Sequence, residues 1–229
     1  MIIDPSILSD PAHALIIYGG GGHGKTLIEL VRSQGKYRLA GVVDDYLCPG
    51  STLLGAPVLG GAEILPQLKT MGIYLAVNAV GGIGNPSVRL EVFDRLAQAG
   101  FTCPSVIHPS AWIEPSAQIS DGVQVLPLCY IGTDVHLGFG CLINSGAIIS
   151  HDCDLAECVN ISPGAMLAGN VHIGARSQVG MGVTINLSIT VGADVRIGNS
   201  AVVKADVPNG ARVFAGMIYP PRVETQNKG

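Results

Sequence analysis

The sequence predicts an α/β domain over residues 1-105 followed by a parallel β-helix over residues 106-229. The first observation is an aliphatic residue at every sixth position from Ile107 to Val203, seventeen in one register. The second is a small or β-branched residue four places after each of them, from Ala111 to Val207. A period of six fits neither an α-helix nor a simple alternating strand, whereas hexapeptide repeats are typical of parallel β-helices.

Three hexads are expected to form one triangular coil, so that residue n lies beneath residue n+18. The aliphatic residues then fill the axis of the prism, and the small residues fit the narrower space near its corners. With strands stacked roughly 4.8 Å apart, the repeats form between five and six coils over about 27 Å. The period alone leaves the hand of the coil open.

The N-terminal half reads as alternating strands and helices. Strands are predicted over 14-18, 39-43 and 73-78, a tight glycine turn over 19-24, and helices over 25-33 and 85-99. Such alternation predicts a small parallel sheet covered by helices, which makes this domain Rossmann-like.

The glycine turn GGGGHGKT satisfies two phosphate-binding patterns. GxxxxGK[ST] runs from Gly19 to Thr26, and GxGxxG from Gly19 to Gly24. A P-loop NTPase is therefore one alternative, although about 105 residues is short for its magnesium site and catalytic apparatus. Under either pattern, the glycines allow close approach of a ligand, and N–H groups at a helix N-terminus attract phosphate. The strand that ends at Asp44 and Asp45 places carboxylates where a ribose hydroxyl or a base edge can be bound.

Composition excludes several functions. The chain has 229 residues, of which 48% are hydrophobic and 5% aromatic, and a net charge of −4. This charge offers no basic stripe for nucleic acid, and no apolar run is long enough to span a membrane. Because residues 1-11 lack the form of a signal peptide, we expect a cytoplasmic protein.

The six cysteines predict neither disulfides nor a metal site. Cys129, Cys141 and Cys153 occupy the small position of the hexad, where cysteine acts as a small hydrophobe. Cys48, Cys103 and Cys158 form no CxxC pair.

Several segments together resemble one family of bacterial enzymes. They are YGGGGHGK, the Asp44-Asp45 pair, the run ending AVNAVGG, the hexads and the later HDC. They are similar to the hexapeptide-repeat sugar acyltransferases, which include the sialic acid O-acetyltransferases and the nucleotide-sugar 4-amino N-acetyltransferases. This resemblance implies a left-handed β-helix, a homotrimer with active sites at subunit interfaces, and acetyl-CoA bound in a groove between neighbouring prisms.

The resemblance also implies site residues. It places sugar-nucleotide contacts at the positions Gly21, Gly22, His23, Asp44, Asp45 and Asn78. Asn78 departs from the glycine that is common in the family.

His151 is the candidate general base by the same resemblance. It would remove a proton from the attacking sugar amine while Asp152 orients its ring. Gly169 follows His151 by 18 residues and is expected one coil away in the same column, where its N–H can stabilise the developing oxyanion. The resemblance gives this glycine the same role.

Acetyl-CoA contacts are implied at Asn160, Gly169, Met181 and Asn199. Asn160 replaces a second histidine that many members carry nine residues after the catalytic one. Met181 and Asn199 also differ by 18 and should stack on each other.

A zinc hydratase of the carbonic anhydrase type is a further alternative. His136 and His172 differ by two coils and should lie in one outward column with Asp154. Relatives of that type carry a third histidine five residues further on, where this chain has Ser177. Because zinc needs three protein ligands, a polar coil edge is the competing interpretation, and no metal is predicted.

The predicted function is therefore acetyl transfer from acetyl-CoA to an amine, at C4, of a nucleotide-linked deoxyamino sugar. The resemblance implies that the product enters surface polysaccharide or glycan synthesis. The alternative closest in chemistry is O-acetylation of a sugar hydroxyl. The nucleotide base and the sugar are left open.

Overall fold

The structure, a computed structural model, describes residues 3, 7, 10-81 and 86-221. The chain divides into two compact units, Met1–Pro109 and Ser110–Gly229. In the described part of the chain, no helix has the length and apolar character needed to cross a bilayer.

The first unit is an α/β unit. Its strands are β1 (Ala14–Tyr18), β2 (Arg38–Val43), β3 (Thr52–Leu53), β4 (Ala56–Gly60), β5 (Leu75–Asn78) and β6 (Val106–Ile107). Its helices are α1 (Gly22–Gln34), α2 (Leu65–Thr70) and α3 (Pro86–Gln98), with short 3-10 turns at Pro11–His13 and Ala62–Ile64. Five strands form one sheet in the order β3-β4-β2-β1-β5, in which only the β3-β4 pair is antiparallel. Because β1 lies between β2 and β5 in this sheet, all five of its residues are buried.

The prediction for this unit is correct for strands β1, β2 and β5 and for helices α1 and α3. The glycine turn is shorter than predicted, since α1 begins at Gly22 rather than at Lys25. Glycine has low helix propensity, so Gly22 and Gly24 favoured a turn over a helix in the prediction. The predicted start of α3 at position 85 lies outside the described residues. The hairpin β3-β4 and helix α2 were not predicted. The two residues of β3 and the six of α2 are too few to show a period, and β4 (APVLG) contains a proline and a glycine, which are depleted in strands.

The second unit is a coil with three walls of parallel two-residue strands. Wall 1 contains β7 (Trp112–Ile113), β10 (Tyr130–Ile131), β13 (Ile148–Ile149), β16 (Met166–Leu167), β19 (Thr184–Ile185), β22 (Val202–Val203) and β24 (Ile218–Tyr219). Wall 2 contains β8 (Gln118–Ile119), β11 (His136–Leu137), β14 (Asp154–Leu155), β17 (His172–Ile173) and β20 (Thr190–Val191). Wall 3 contains β9 (Gln124–Val125), β12 (Leu142–Ile143), β15 (Asn160–Ile161), β18 (Gln178–Val179), β21 (Arg196–Ile197) and β23 (Arg212–Val213).

The stacking register confirms the predicted three-hexad coil. Tyr130 pairs with Ile148, and Ile148 with Met166, which is a step of 18 residues each time. The aliphatic series is buried from Val125 to Val203. Each such side chain stabilises the fold by about 1.5–3 kcal/mol relative to leaving it exposed. The three aliphatics before Val125 are only half-buried.

The corners of the coil require a residue with positive φ, and the two apolar series in the sequence do not predict this requirement. One residue in every hexad from Gly122 to Ser200 has a positive φ. These positions are occupied by Gly, Asp, Asn and Ser, and also by Leu128, Cys158 and Arg176. The left-handed region is strained for residues with a side chain but not for glycine, so only the non-glycine corners turn at the cost of local backbone strain.

Candidate active site

The glycine loop joins the buried end of β1 to helix α1. Gly19 has φ +111°, and a Cβ on Gly24 would collide with the Gly19 carbonyl oxygen, so the fold itself requires these two glycines. Gly21 and Gly22 are exposed, and an added Cβ on either would meet nothing within 4 Å. Internal packing therefore does not explain these two glycines. His23 is half-buried in the first turn of α1, and it has a contact within the chain.

The early start of α1 bears on the P-loop alternative. Only Gly19, Gly20 and Gly21 form the loop, and Lys25 lies beyond the first helical residues, with its N–H donating to the Gly21 carbonyl at 3.1 Å. A phosphate-cradling loop needs a longer run of free backbone N–H groups before its lysine. This geometry favours a short anion-binding helix terminus over an NTPase loop.

Asp44 braces the glycine loop. Its Oδ2 accepts a hydrogen bond from the Gly20 N–H at 2.6 Å, and its Oδ1 accepts from the N–H groups of Tyr46 and Leu47 at 2.9 and 3.0 Å. Both oxygens are therefore already bonded within the unit. The substrate contact predicted for Asp44 stays a prediction.

Asp45 belongs to a polar cluster at the end of β1. Its Oδ1 accepts from the Ala62 N–H at 2.7 Å, and its Oδ2 accepts from the Tyr18 hydroxyl and from Arg95, each at 3.1 Å. Arg95 also donates to the Tyr18 oxygen at 2.5 Å. Burial raises the pKa of Tyr18 above its ordinary value, so its hydroxyl stays protonated near neutral pH and donates to Asp45.

Asn78 lies inside the fold. Its side chain belongs to a residue that is 1% exposed, donates to the Arg89 carbonyl at 2.8 Å and accepts from the Val80 N–H at 3.0 Å. Arg89 in turn donates to the carbonyls of Asn78 and Val80. The amide thus ties the end of β5 to α3, and its predicted substrate contact stays a prediction.

A cleft of about 230 Å³ opens at this end of the sheet, and we call it the α3 cleft. One side of it is formed by α3, and its lining includes Tyr18, Gly19, Asp44, Asp45, Tyr46, Val80, Val88, Glu91, Val92 and Arg95. The sequence predicted Asp44 and Asp45 as site residues but did not predict Tyr18, Glu91 and Arg95. The spacing of Val88, Glu91, Val92 and Arg95 places them on one face of the helix. That spacing predicts a cleft only when the strand order, and so the neighbour of this face, is known.

The second unit brings His151, Asp152 and Gly169 together. The His151 Nδ1 lies 2.7 Å from the Asp152 Oδ2. Because a carboxylate only accepts, Nδ1 carries the hydrogen in this pair, and the Nε2 lone pair is free to take a proton. Asp152 has φ +58°, a conformation that Asp adopts more readily than most residues.

Gly169 lies against the imidazole one coil above. A Cβ added to it would come within 2.5 Å of the His151 Nε2, so only glycine leaves room for the ring in this position. The Gly169 carbonyl accepts from the Ser188 N–H at 3.0 Å. Its own N–H has no hydrogen-bond partner among the residues that the structure describes, and it can therefore bind an oxyanion.

The remaining predicted contacts lie at different places on the coil. Met181 and Asn199 stack as predicted, with the Met181 N–H donating to the Asn199 Oδ1 at 2.9 Å. Asn160 is on wall 3, 7% exposed, and accepts from the Asn144 Nδ2 at 3.0 Å. The acetyl-CoA contact predicted for Asn160 stays a prediction.

The column of residues considered for a zinc site forms, but Ser177, at the position of the third ligand, is not placed to bind a metal. His136, Asp154 and His172 align on wall 2, and the His136 Nδ1 lies 2.9 Å from the Asp154 Oδ1. Ser177 is fully buried, where its hydroxyl donates to the Gly192 carbonyl at 2.7 Å. The described residues contain no group of three acidic, His or Cys side chains placed to hold a metal. This geometry agrees with a polar coil edge.

The cysteines lead to a prediction about thiol reactivity. The Cys129 and Cys153 thiols donate to backbone carbonyls within the coil, and burial raises the pKa of both. Since the thiolate is the reactive form, these two groups should resist modification at neutral pH. Cys48 is exposed, whereas Cys103, like the coil thiols, is buried.

We therefore expect the native protein to react rapidly with an aromatic disulfide reagent at about one thiol. The Cys48→Ser variant should lose that fast phase, and a Cys141→Ser control should keep it. Fast labelling of two or more thiols in the native state would contradict the assignment.

Comparison with known proteins places these features in a family. A family profile described as the PglD N-terminal domain matches residues 14–96. The structure of a histidine-to-asparagine mutant of perosamine N-acetyltransferase from Caulobacter crescentus, in complex with CoA and GDP-perosamine, superposes with a TM-score of 0.82. It is 33% identical, and the match covers 88% of this chain and 93% of that one. This chain belongs to the hexapeptide-repeat nucleotide-sugar N-acetyltransferases.

Other members agree with this family assignment. The acetyltransferase domain of PglB from Neisseria gonorrhoeae, in complex with acetyl coenzyme A, is 35% identical over 90% of this chain and 97% of that one, with a TM-score of 0.81. The UDP-N-acetylbacillosamine N-acetyltransferase of Bacillus subtilis is 32% identical over 113 residues. That match spans 48% of this chain and about half (50%) of the relative's length. The family assignment confirms the predicted fold class, including the left-handed β-helix, and confirms acyltransferase as the class of enzyme.

Proposed function

We propose that this family member transfers the acetyl group of acetyl-CoA to the C4 amine of a nucleotide-linked deoxyamino sugar. The observation that carries the proposal is the column in which the His151 ring lies against Gly169 and is held by Asp152. A base, its orienting carboxylate and a free N–H donor are the groups that acyl transfer to an amine requires.

In the proposed reaction, the His151 Nε2 removes a proton from the sugar amine as its nitrogen bonds to the thioester carbon. The carbonyl oxygen gains negative charge, and the Gly169 N–H is placed to stabilise it. When the C–S bond breaks, the proton held by the imidazolium passes to the departing sulfur, which yields the amide and free CoA thiol. Asp152 stabilises the transient imidazolium through the 2.7 Å contact. The nucleophile belongs to the substrate, so no cysteine or serine of the chain has to react.

Features of the first unit support a nucleotide as the carrier of the sugar. The N-terminus of α1 is approached over Gly21 and Gly22, where the backbone is exposed and no side chain blocks a diphosphate. The α3 cleft beside it combines polar groups with valines, as a base requires on its edge and its faces. Relatives named for perosamine and bacillosamine nucleotides add to this support. We assign the product to surface glycan synthesis.

Assembly as a homotrimer is part of the proposal, and wall 1 supports it. The outward side chains of this wall form a stripe that is largely apolar, and several are exposed: Trp112, Tyr130, Ile148, Met166 and Ile218. The corresponding side chains of wall 2 are polar. An exposed apolar patch of this extent marks an interaction surface, and His151 lies two residues after β13 of the same wall.

The Ile148→Glu variant is expected to prevent this assembly, because it places a charge in the middle of the apolar stripe. Light scattering should give a mass near three times 23.6 kDa for the unmodified protein and near 23.6 kDa for the variant. Thr190→Glu, on wall 2, is the matched control and should leave the mass unchanged. A monomeric unmodified protein would exclude the trimer.

The test of the function is a free-thiol assay with acetyl-CoA and a panel of nucleotide-linked 4-amino sugars. Release of CoA thiol should require the amine, and 4-hydroxy analogues with the same nucleotide should give only background. Turnover of the hydroxy analogues at a rate equal to the amines would instead support sugar O-acetylation.

A further inference from the structure

The α3 cleft contains a carboxylate that the fold does not use. Glu91 is exposed in the cleft, and its carboxylate has no hydrogen-bond or ion-pair partner among the described residues. Asp44 and Asp45, the other two acids of the cleft, have both oxygens bonded to groups of their own unit. Glu91 is thus the acid that remains available to a ligand.

A donor lies one helical turn from this acceptor. Arg95 follows Glu91 by four residues on α3, a spacing that puts their Cβ atoms about 5–6 Å apart. This spacing commonly gives a Glu–Arg ion pair, but here Arg95 Nη1 is held by Tyr18 and by Asp45. The other guanidinium nitrogens of Arg95 have no partner among the residues described. The cleft therefore presents the Glu91 acceptor and the Arg95 donor side by side.

Apolar surface flanks this pair. Val88 and Val92 lie on the same face of α3 as Glu91 and Arg95, and Val80 lines the cleft from the end of β5. Val92 is 6% exposed, so it is fixed by the core, whereas Val88 is 42% exposed and available to a ligand. A flat aromatic ring fits such a surface with its faces on the valines and its polar edge toward the two charged groups.

The pattern of donors and acceptors distinguishes the bases. Guanine presents an acceptor at O6 and donors at N1 and N2 along its Watson–Crick edge, so a carboxylate can accept from both donors while a guanidinium donates to O6. Uracil and thymine present an acceptor on each side of a single N–H. A carboxylate that accepts from that N–H therefore lies against the second carbonyl oxygen, and adenine offers one donor beside an acceptor.

We propose that the α3 cleft selects guanine, with Glu91 accepting from its N1–H and N2–H groups and Arg95 donating to its O6. The inference rests on the proposed function, since it names the nucleotide that carries the amino sugar. Glu91 is the residue that determines specificity, because Arg95 can serve uracil as well as guanine.

The experiment is equilibrium binding of GDP, IDP, UDP and dTDP to the full-length protein. IDP is guanosine diphosphate without the N2 amino group, so it removes one hydrogen bond and keeps the ring. We expect GDP to bind at least roughly tenfold more tightly than IDP, UDP or dTDP, the usual discrimination of a bidentate pair. This comparison needs no variant.

The Glu91→Gln variant should then lose most of the preference for GDP over IDP, because its amide offers only one acceptor oxygen. Asp94→Asn, a neighbouring exposed acid of α3 that does not line the cleft, is the matched control and should keep the preference. Equal binding of GDP and IDP, tighter binding of UDP or dTDP, or an unchanged preference in Glu91→Gln would overturn the assignment of guanine alone. If none of the four diphosphates bound, the nucleotide part of the proposed function would fail as well.

Discussion

The His151→Asn variant is expected to lose acetyl transfer by a factor of about 10²–10⁴, the usual contribution of a positioned general base. Asparagine keeps much of the shape of the ring near Cβ but cannot take a proton at neutral pH. His151 is exposed at a corner of the coil, so its replacement leaves the core unchanged. The loss should therefore appear in kcat of the thiol assay, with the affinity for CoA and the mass of the assembly unaffected.

Two further variants distinguish the contribution of the His151 base from that of its orienting carboxylate and from the loss of an unrelated surface histidine. Asp152→Asn should reduce kcat by less than His151→Asn, because it removes only the group that orients and stabilises the imidazolium. His172→Asn changes another exposed histidine, on wall 2, and should behave like the unmodified enzyme. Near-normal turnover in His151→Asn would remove this residue from the mechanism.

The Gly169→Ala variant should lower kcat by about 10²-fold, because it displaces the catalytic base. The added methyl group would occupy the space of the His151 ring, with its carbon 2.5 Å from Nε2. Alanine keeps the N–H of residue 169, so the defect arises from displacement of the base. A displacement of about 1 Å in a reacting group is enough to cost on the order of 10²-fold in rate.

A double variant tests that cause. In a His151→Ala background no ring meets the new methyl group, so adding Gly169→Ala should cost little further activity. Thermal unfolding of Gly169→Ala distinguishes the local effect from general destabilisation. An equal loss from Gly169→Ala in both backgrounds would show that the glycine acts independently of His151.

The β-helix was predictable from the sequence because its two requirements repeat at every hexad. An axis that admits only aliphatic side chains produces the series from Ile107, and the stacking step of 18 follows directly. The positive-φ corners are less visible, since Leu128, Cys158 and Arg176 occupy positions where glycine or asparagine would have marked the turn. At those corners, coil stacking overrides local preference.

The first unit was predictable only in the elements with a clear apolar pattern. β1 and α3 carry such patterns, whereas β3 has two residues and β4 (APVLG) contains a proline and a glycine, which are depleted in strands. The start of α1 at Gly22 shows the same limit. Glycines near a helix terminus read as a turn, although the helix includes Gly22 and Gly24.

The candidate site was predictable where residues are related by the coil period. His151 and Gly169 lie 18 residues apart, so their adjacency follows from the repeat. Glu91 and Arg95 could not be found in this way, because the α3 cleft forms only when helix α3 packs beside the end of β1. For Asn78, the family resemblance implied a substrate contact, but the structure shows that its amide is buried in the fold.

The most direct test of the His151–Gly169 site is a crystal structure of His151→Asn with CoA and a nucleotide-linked 4-amino sugar. We expect the CoA sulfur to lie where the oxygen of an attached acetyl group would reach the Gly169 N–H. We expect the amine nitrogen to lie about 3–3.5 Å from where the thioester carbon would be, next to residue 151. A pantetheine chain on a wall remote from residues 151 and 169, or an amine directed away from them, would contradict this site.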